Sequence, residues 1–73
     1  MAITTNADVA RRVRGIAAER RVQQKDLARE LQLSRMSMNR RMNGSTPFTA
    51  EELILLAARL DTPVSTFFGE VAA

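Results

Sequence analysis

From Val9 onward, apolar residues fall three and four positions apart, the spacing of one helical face, and no stretch alternates with the two-residue period of a half-buried strand. The pattern predicts an all-α fold of five helices. A first helix starts after Thr5 or Asn6, where Thr5 and Asp8 stand at capping-box spacing, and runs to about Arg20. Val9, Val13, Ile16 and Ala17 make its inward stripe; Arg11, Arg12 and Arg14 lie off the stripe, and Gly15 faces outward. A second helix, about Gln24 to Leu31, turns Leu27, Ala28 and Leu31 inward, with Ala28 small where two helices must cross closely. Gln32 and Leu33 make a turn and Ser34 is a good N-cap for a third helix, about Arg35 to Asn43. Met38 and Met42 form the inner face of that helix, and Gly44 supplies the left-handed residue that ends it. Ser45, Thr46 and Pro47 form a loop, with Phe48 tucked in, before a second capping box at Thr49 and Glu52. The fourth helix buries Leu53, Leu56, Ala57 and Leu60. Thr62 and Pro63 read as the N-cap and first residue of a short fifth helix through Val64, Phe67 and Phe68, closed by Gly69.

The chain is 73 residues long, room for one domain with a modest core. Residues 1–5 are expected as a loose N-terminal arm and 70–73 as a short tail, with no internal repeat, low-complexity stretch or linker between them. Cysteine, histidine, tryptophan and tyrosine are all absent. Disulfides and thiolate metal sites are therefore excluded, and the usual general base is missing. The eight acidic residues are placed as for helix solubility, so neither an enzyme nor a cofactor is expected. No apolar run approaches the roughly 20 residues of a membrane span, and no charged-then-apolar leader opens the chain. A soluble, cytoplasmic protein of a bacterial or phage-infected host cell is the expectation, with no membrane partner.

Charge is unevenly spread. The net value of +3 combines ten basic and four acidic residues in 1–45 with one basic and four acidic residues in 46–73. All the basic residues but Lys25 are arginine, the side chain that makes forked contacts with phosphate and guanine edges. The positive excess therefore falls on the part of the chain that holds two short helices joined by a tight turn. Such a pair is the unit that lays one helix in the major groove of DNA.

From about Val9 to Phe68 the layout resembles the phage-repressor and Cro-type helix-turn-helix family, the lambda-repressor-like domains. Gln24–Lys25–Asp26–Leu27–Ala28 is similar to the family's Q-x-x-L-A opening of helix two. Ser34 to Gly44 resembles its recognition helix and stop, and Glu52 to Leu60 with Thr62–Pro63–Val64 resembles its fourth and fifth helices. Three positions depart from the pattern. Gln32 stands where glycine is common, which puts a side chain into a left-handed conformation. Arg41 stands where an apolar residue is common, beside Met42, which supplies the core contact. Ala17 and Met42 replace a buried Arg–Glu pair that joins helices one and three in some relatives, an apolar substitute on both sides.

The resemblance implies a sequence-specific regulator that binds double-stranded DNA, with the N-terminal part of the third helix on base edges. With Met38 and Met42 facing the core, steps of about 100° per residue put Arg40 almost opposite, and Arg35 projects from the first turn. Arg35 and Arg40 are then expected to read guanine, Met36 to touch a thymine methyl, and Asn39 to read adenine more weakly. Gln24, at the helix-two N-terminus, is expected on phosphate and as a brace for the third helix. Arg12, Gln23, Lys25, Ser37, Arg41, Asn43 and Ser45 are further phosphate candidates. A domain this small is expected to act as a homodimer, at least on DNA, at an inverted repeat. The Phe67/Phe68 region is the expected contact, because adjacent helical residues point about 100° apart and cannot both be enclosed equally. Two other readings are an antitoxin-type module of a toxin–antitoxin pair and a helical adaptor for proteins only. The short tail weighs against the first, and the outward arginines and asparagine of the third helix weigh against the second.

Overall fold

The computed structural model describes residues 5–69. Four α-helices, α1 (Asn6–Glu19), α2 (Gln24–Leu31), α3 (Arg35–Met42) and α4 (Ala50–Arg59), are followed by a 3₁₀ helix, Val64–Phe68. No strand occurs among the described residues. The expected arm before Thr5 and the tail from Glu70 lie outside them; Thr5 itself is the N-cap of α1.

Both capping boxes form. Thr5 Oγ1 accepts from Asp8 N–H at 3.2 Å while Asp8 Oδ2 accepts from Thr5 N–H at 3.1 Å. Thr49 and Glu52 repeat the exchange at 3.1 and 3.0 Å. Ser34 Oγ accepts from Ser37 N–H at 3.1 Å and so caps α3. These side chains satisfy backbone donors that have no partner within their own helix.

The helix ends share one geometry, in which a residue in the left-handed region lets its own N–H and the next one turn back to carbonyls of the last turn. After α1 the residue is Arg21 (φ 58°), with Arg21 N–H on Ala18 O and Val22 N–H on Ala17 O. After α2 it is Gln32 (φ 56°), with Gln32 N–H on Arg29 O and Leu33 N–H on Ala28 O. After α3 it is Gly44 (φ 84°), and after α4 it is Asp61 (φ 52°). Only one of the four is glycine. At Gly44 the need is double, since a Cβ there would also stand 3.0 Å from Ala7 Cα on α1. Val22 and Leu33, the second residues of the first two turns, fold back against the core and hold those turns in place.

The core is assembled from the predicted stripes. Val13, Leu27, Met38, Leu56, Leu60 and Phe67 are completely enclosed, and Val9, Ala17, Ala28, Leu31, Met42, Leu53 and Ala57 surround them. Ile16 is half-buried, and Ala10, outside the predicted stripe, is fully buried. α1 packs on α3 and on the 3₁₀ helix, and α2 packs on both α3 and α4. Phe48 folds over the cluster from the α3–α4 loop.

The last element corrects the expectation drawn from Thr62 and Pro63. It is a 3₁₀ helix, and its N-cap is Pro63, in an extended conformation with no side-chain cap bond. Thr62 belongs to the preceding turn, where its N–H closes α4 on Ala57 O at 3.0 Å; its hydroxyl lies 3.4 Å from that of Thr66. A segment of five residues between two left-handed stops is short enough for the tighter helix. It buries Phe67 completely and leaves Phe68 40% exposed, which resolves the competition between the two rings.

Candidate nucleic-acid interface

α3 is poorly anchored by apolar packing, because only Met38 and Met42 of its eight residues are buried. Polar ties from the three other α-helices complete its fixation. From α2, Gln24 Nε2 donates to Asn39 Oδ1. From α1, Arg14 Nη1 donates to the Met42 carbonyl at the C-terminal end of α3. Toward α4, Arg41 Nε donates to Glu52 Oε1 at 2.9 Å, and Arg41 Nη1 also reaches the Ser37 carbonyl at 3.3 Å. α1 treats α4 in the same way: Arg20 Nε donates to Leu60 O at 3.0 Å and Nη2 to Asp61 O at 3.4 Å. A cation at the carbonyl end of a helix is favoured by the unpaired carbonyls and the helix dipole.

Arg14 and Arg20 went unassigned in the sequence because both lie off the apolar stripe and read as solvated charge. The helix end that an arginine will cap is set by tertiary placement, which leaves no mark at a fixed spacing in the chain.

The side of α3 opposite Met38 and Met42 carries the residues expected to read bases. Arg35, Met36, Asn39 and Arg40 are all exposed, Met36 to 63%. Arg40 Nη2 lies 3.5 Å from Met36 Sδ, one helical turn away, so these two side chains are in contact before any ligand arrives. Asn39 uses its side-chain oxygen to accept from Gln24 and keeps its amide N–H groups for a further partner.

Next to this surface α2 and α3 enclose a groove of about 570 Å³. Gln24, Lys25, Arg29, Arg35 and Asn39 form its polar lining, over Ala28, Leu33 and Met38. Three cations therefore face one concavity. Arg29 is an addition to the expected set, detectable as the residue four after Lys25 and so on the same face of α2.

The N-terminus of α2 has no side-chain cap. Gln23 occupies the N-cap in an extended conformation but makes no side-chain cap bond, in contrast to Thr5, Ser34 and Thr49. At the other end of α3, Asn43 and Ser45 are exposed and joined by Ser45 N–H to Asn43 Oδ1 at 3.0 Å. Ser37 is half-buried, and its hydroxyl accepts from that of Ser34 at 3.1 Å.

Two arginines expected on phosphate lie against other elements of the fold. Arg41 is paired with Glu52, and the side chains are only 17% and 14% exposed. Arg12 lies across the turn that closes the 3₁₀ helix, so near that a Cβ on Gly69 would fall 2.5 Å from its Nη2. Its Nη1 is buried without a hydrogen-bond partner among the described residues. Arg41 therefore joins α3 to α4 through its guanidinium, while Arg12 lies against the turn at Gly69.

Among the described residues no group of three or more acidic, histidine or cysteine side chains is placed to hold a metal, and no helix is long and apolar enough to cross a membrane. Residues 11–67, from the first turns of α1 to Phe67, match the helix-turn-helix family of the lambda-repressor-like kind. No curated protein matches the chain. The chain belongs to the helix-turn-helix family, and with it to the DNA-binding regulators.

Proposed function

We propose that the protein is a sequence-specific regulator of the phage Cro or repressor type, in which α2 and α3 are the helix-turn-helix and α3 enters the major groove. The observation that carries this is the division of α3 itself. Its inner side holds two methionines, while the outer side presents Arg35, Met36, Asn39 and Arg40 on a helix tied to α1, α2 and α4. A reading helix must keep side chains in register with base edges, and ties to three neighbours supply that rigidity.

Arg35 and Arg40 read guanine, Met36 meets a thymine methyl, and Asn39 is the weaker adenine contact. Gln23, Gln24, Lys25, Arg29, Ser37, Asn43 and Ser45 flank them on phosphate, with the uncapped N-terminus of α2 aimed at one phosphate group. Two copies bind a two-fold symmetric operator. Phe68 offers apolar surface for that pairing and Phe67 does not, because it is enclosed. Residues 5–69, with the helix-turn-helix among them, form a single domain.

Two substitutions test the assignment. Arg40→Ala is expected to cost about 1–3 kcal/mol at the matched operator and to flatten discrimination between operator variants. Lys25→Ala is expected to weaken every duplex alike and to lower the slope of log affinity against log salt by about 0.9. Equal loss on all sequences for Arg40→Ala would move that residue to the phosphate.

A further inference from the structure

The described methionines differ sharply in access. Met38 and Met42 are buried at 0% and 6% exposure, whereas Met36 is 63% exposed on the outer side of α3. Its sulfur stands 3.5 Å from Arg40 Nη2. A thioether is a weak acceptor and holds a guanidinium loosely, so Arg40 can exchange Met36 for another partner. We propose that Met36 is an oxidation site through which peroxide switches off DNA binding; this rests on the reading of α3 as the helix that faces DNA.

The chemistry is a two-electron oxygen transfer. A lone pair on Met36 Sδ attacks one oxygen of hydrogen peroxide, the O–O bond breaks, and the departing hydroxide takes the proton of the transferred hydroxyl. Sulfur is oxidised to the sulfoxide and peroxide is reduced to water. Access decides where this happens: Met36 is an exposed side chain, while Met38 and Met42 are shielded by the core.

The consequences fall on two neighbouring contacts. The sulfoxide oxygen is a strong acceptor beside an arginine already in place, so Arg40 becomes bound within α3 instead of being available to a base. The same oxygen also makes polar the one apolar side chain on the exposed side of α3, which disfavours contact with a methyl group. Stability is little affected, since Met36 is not part of the core. Methionine sulfoxide reductases would restore the thioether and with it the binding.

The test is graded peroxide treatment of the whole protein, with site occupancy read by peptide mass spectrometry and affinity read on a duplex enriched from random sequence. Met36 is expected to oxidise ahead of Met38 and Met42, with affinity falling about tenfold or more as it does. Reductase treatment should reverse the loss. Met36→Leu, whatever its own starting affinity, should keep that affinity through the same treatment. Full Met36 oxidation with unchanged binding would overturn the switch alone, as would an equal peroxide loss in Met36→Leu. An untreated protein that binds no duplex would overturn the reading of α3, and the switch with it.

Discussion

Replacing Arg41 by methionine removes a guanidinium while keeping an unbranched side chain of similar reach, and the result separates a structural role from a phosphate contact. Arg41 Nε meets Glu52 Oε1 at 2.9 Å, and the two side chains are 17% and 14% exposed. A fully exposed pair contributes about 0–1 kcal/mol, and breaking a fully buried one costs about 3–5 kcal/mol. This pair lies between those limits. Glu52 is not stranded by the loss, because Oε1 also accepts the Thr49 N–H at 3.0 Å. A coupling of about 1–2 kcal/mol is therefore expected between the two side chains. It would be measured by urea unfolding of Arg41→Met, Glu52→Gln and the double variant. Glutamine keeps an oxygen for the Thr49 cap, so the cycle isolates the ion pair. Duplex titration at several salt concentrations supplies the second readout. A lost phosphate contact lowers the slope of log affinity against log salt by about 0.9, whereas Arg41→Met should leave the slope at the parent value. Coupling close to zero together with a slope reduced by one contact would refute the structural role and return Arg41 to the DNA backbone.

Gln32→Gly should stabilise the protein by about 0.5–1 kcal/mol, because relief of a left-handed side chain outweighs the added freedom of the unfolded chain; a lower urea midpoint would contradict this. The Asp8 carboxyl is held below its ordinary value of 3.8, first by the backbone hydrogen bond from Thr5 and then by the Thr5 side chain. A carboxyl pKa lowered by folding contributes stability that is fully present above the unfolded value and is lost as pH falls through the folded one. Asp8→Asn should accordingly flatten the acid side of the stability profile below about pH 4, and parallel urea midpoints for the two proteins across that range would remove the cap from the explanation.

Local chemistry was readable in the sequence wherever a few neighbouring residues suffice to make it. Thr5 with Asp8 and Thr49 with Glu52 close their boxes within four residues, and the inward stripes follow from helical period alone. Gln32 was identifiable as a left-handed position through the family resemblance, because it stands where glycine is common. Thr62 misled because the same residue suits two offices, starting one helix and closing another. The N–H that completes the turn after α4 decided between them. The contacts of Arg12, Arg14, Arg20 and Arg41 were not legible, for a different reason. Each lies off an apolar stripe, yet a long side chain can cross to a carbonyl, a carboxylate or a glycine on a distant element. What such a residue touches is fixed by how helices pack, not by its neighbours in the chain.

Selection of bound duplexes from a random pool, followed by titration of the winner over a range of salt concentrations, measures sequence readout, symmetry and phosphate contact together. Enrichment of an inverted repeat with two half-sites, bound with a steep negative salt slope, is the expected result. No enriched sequence, together with no duplex binding at low salt, would contradict α3 as a reading helix.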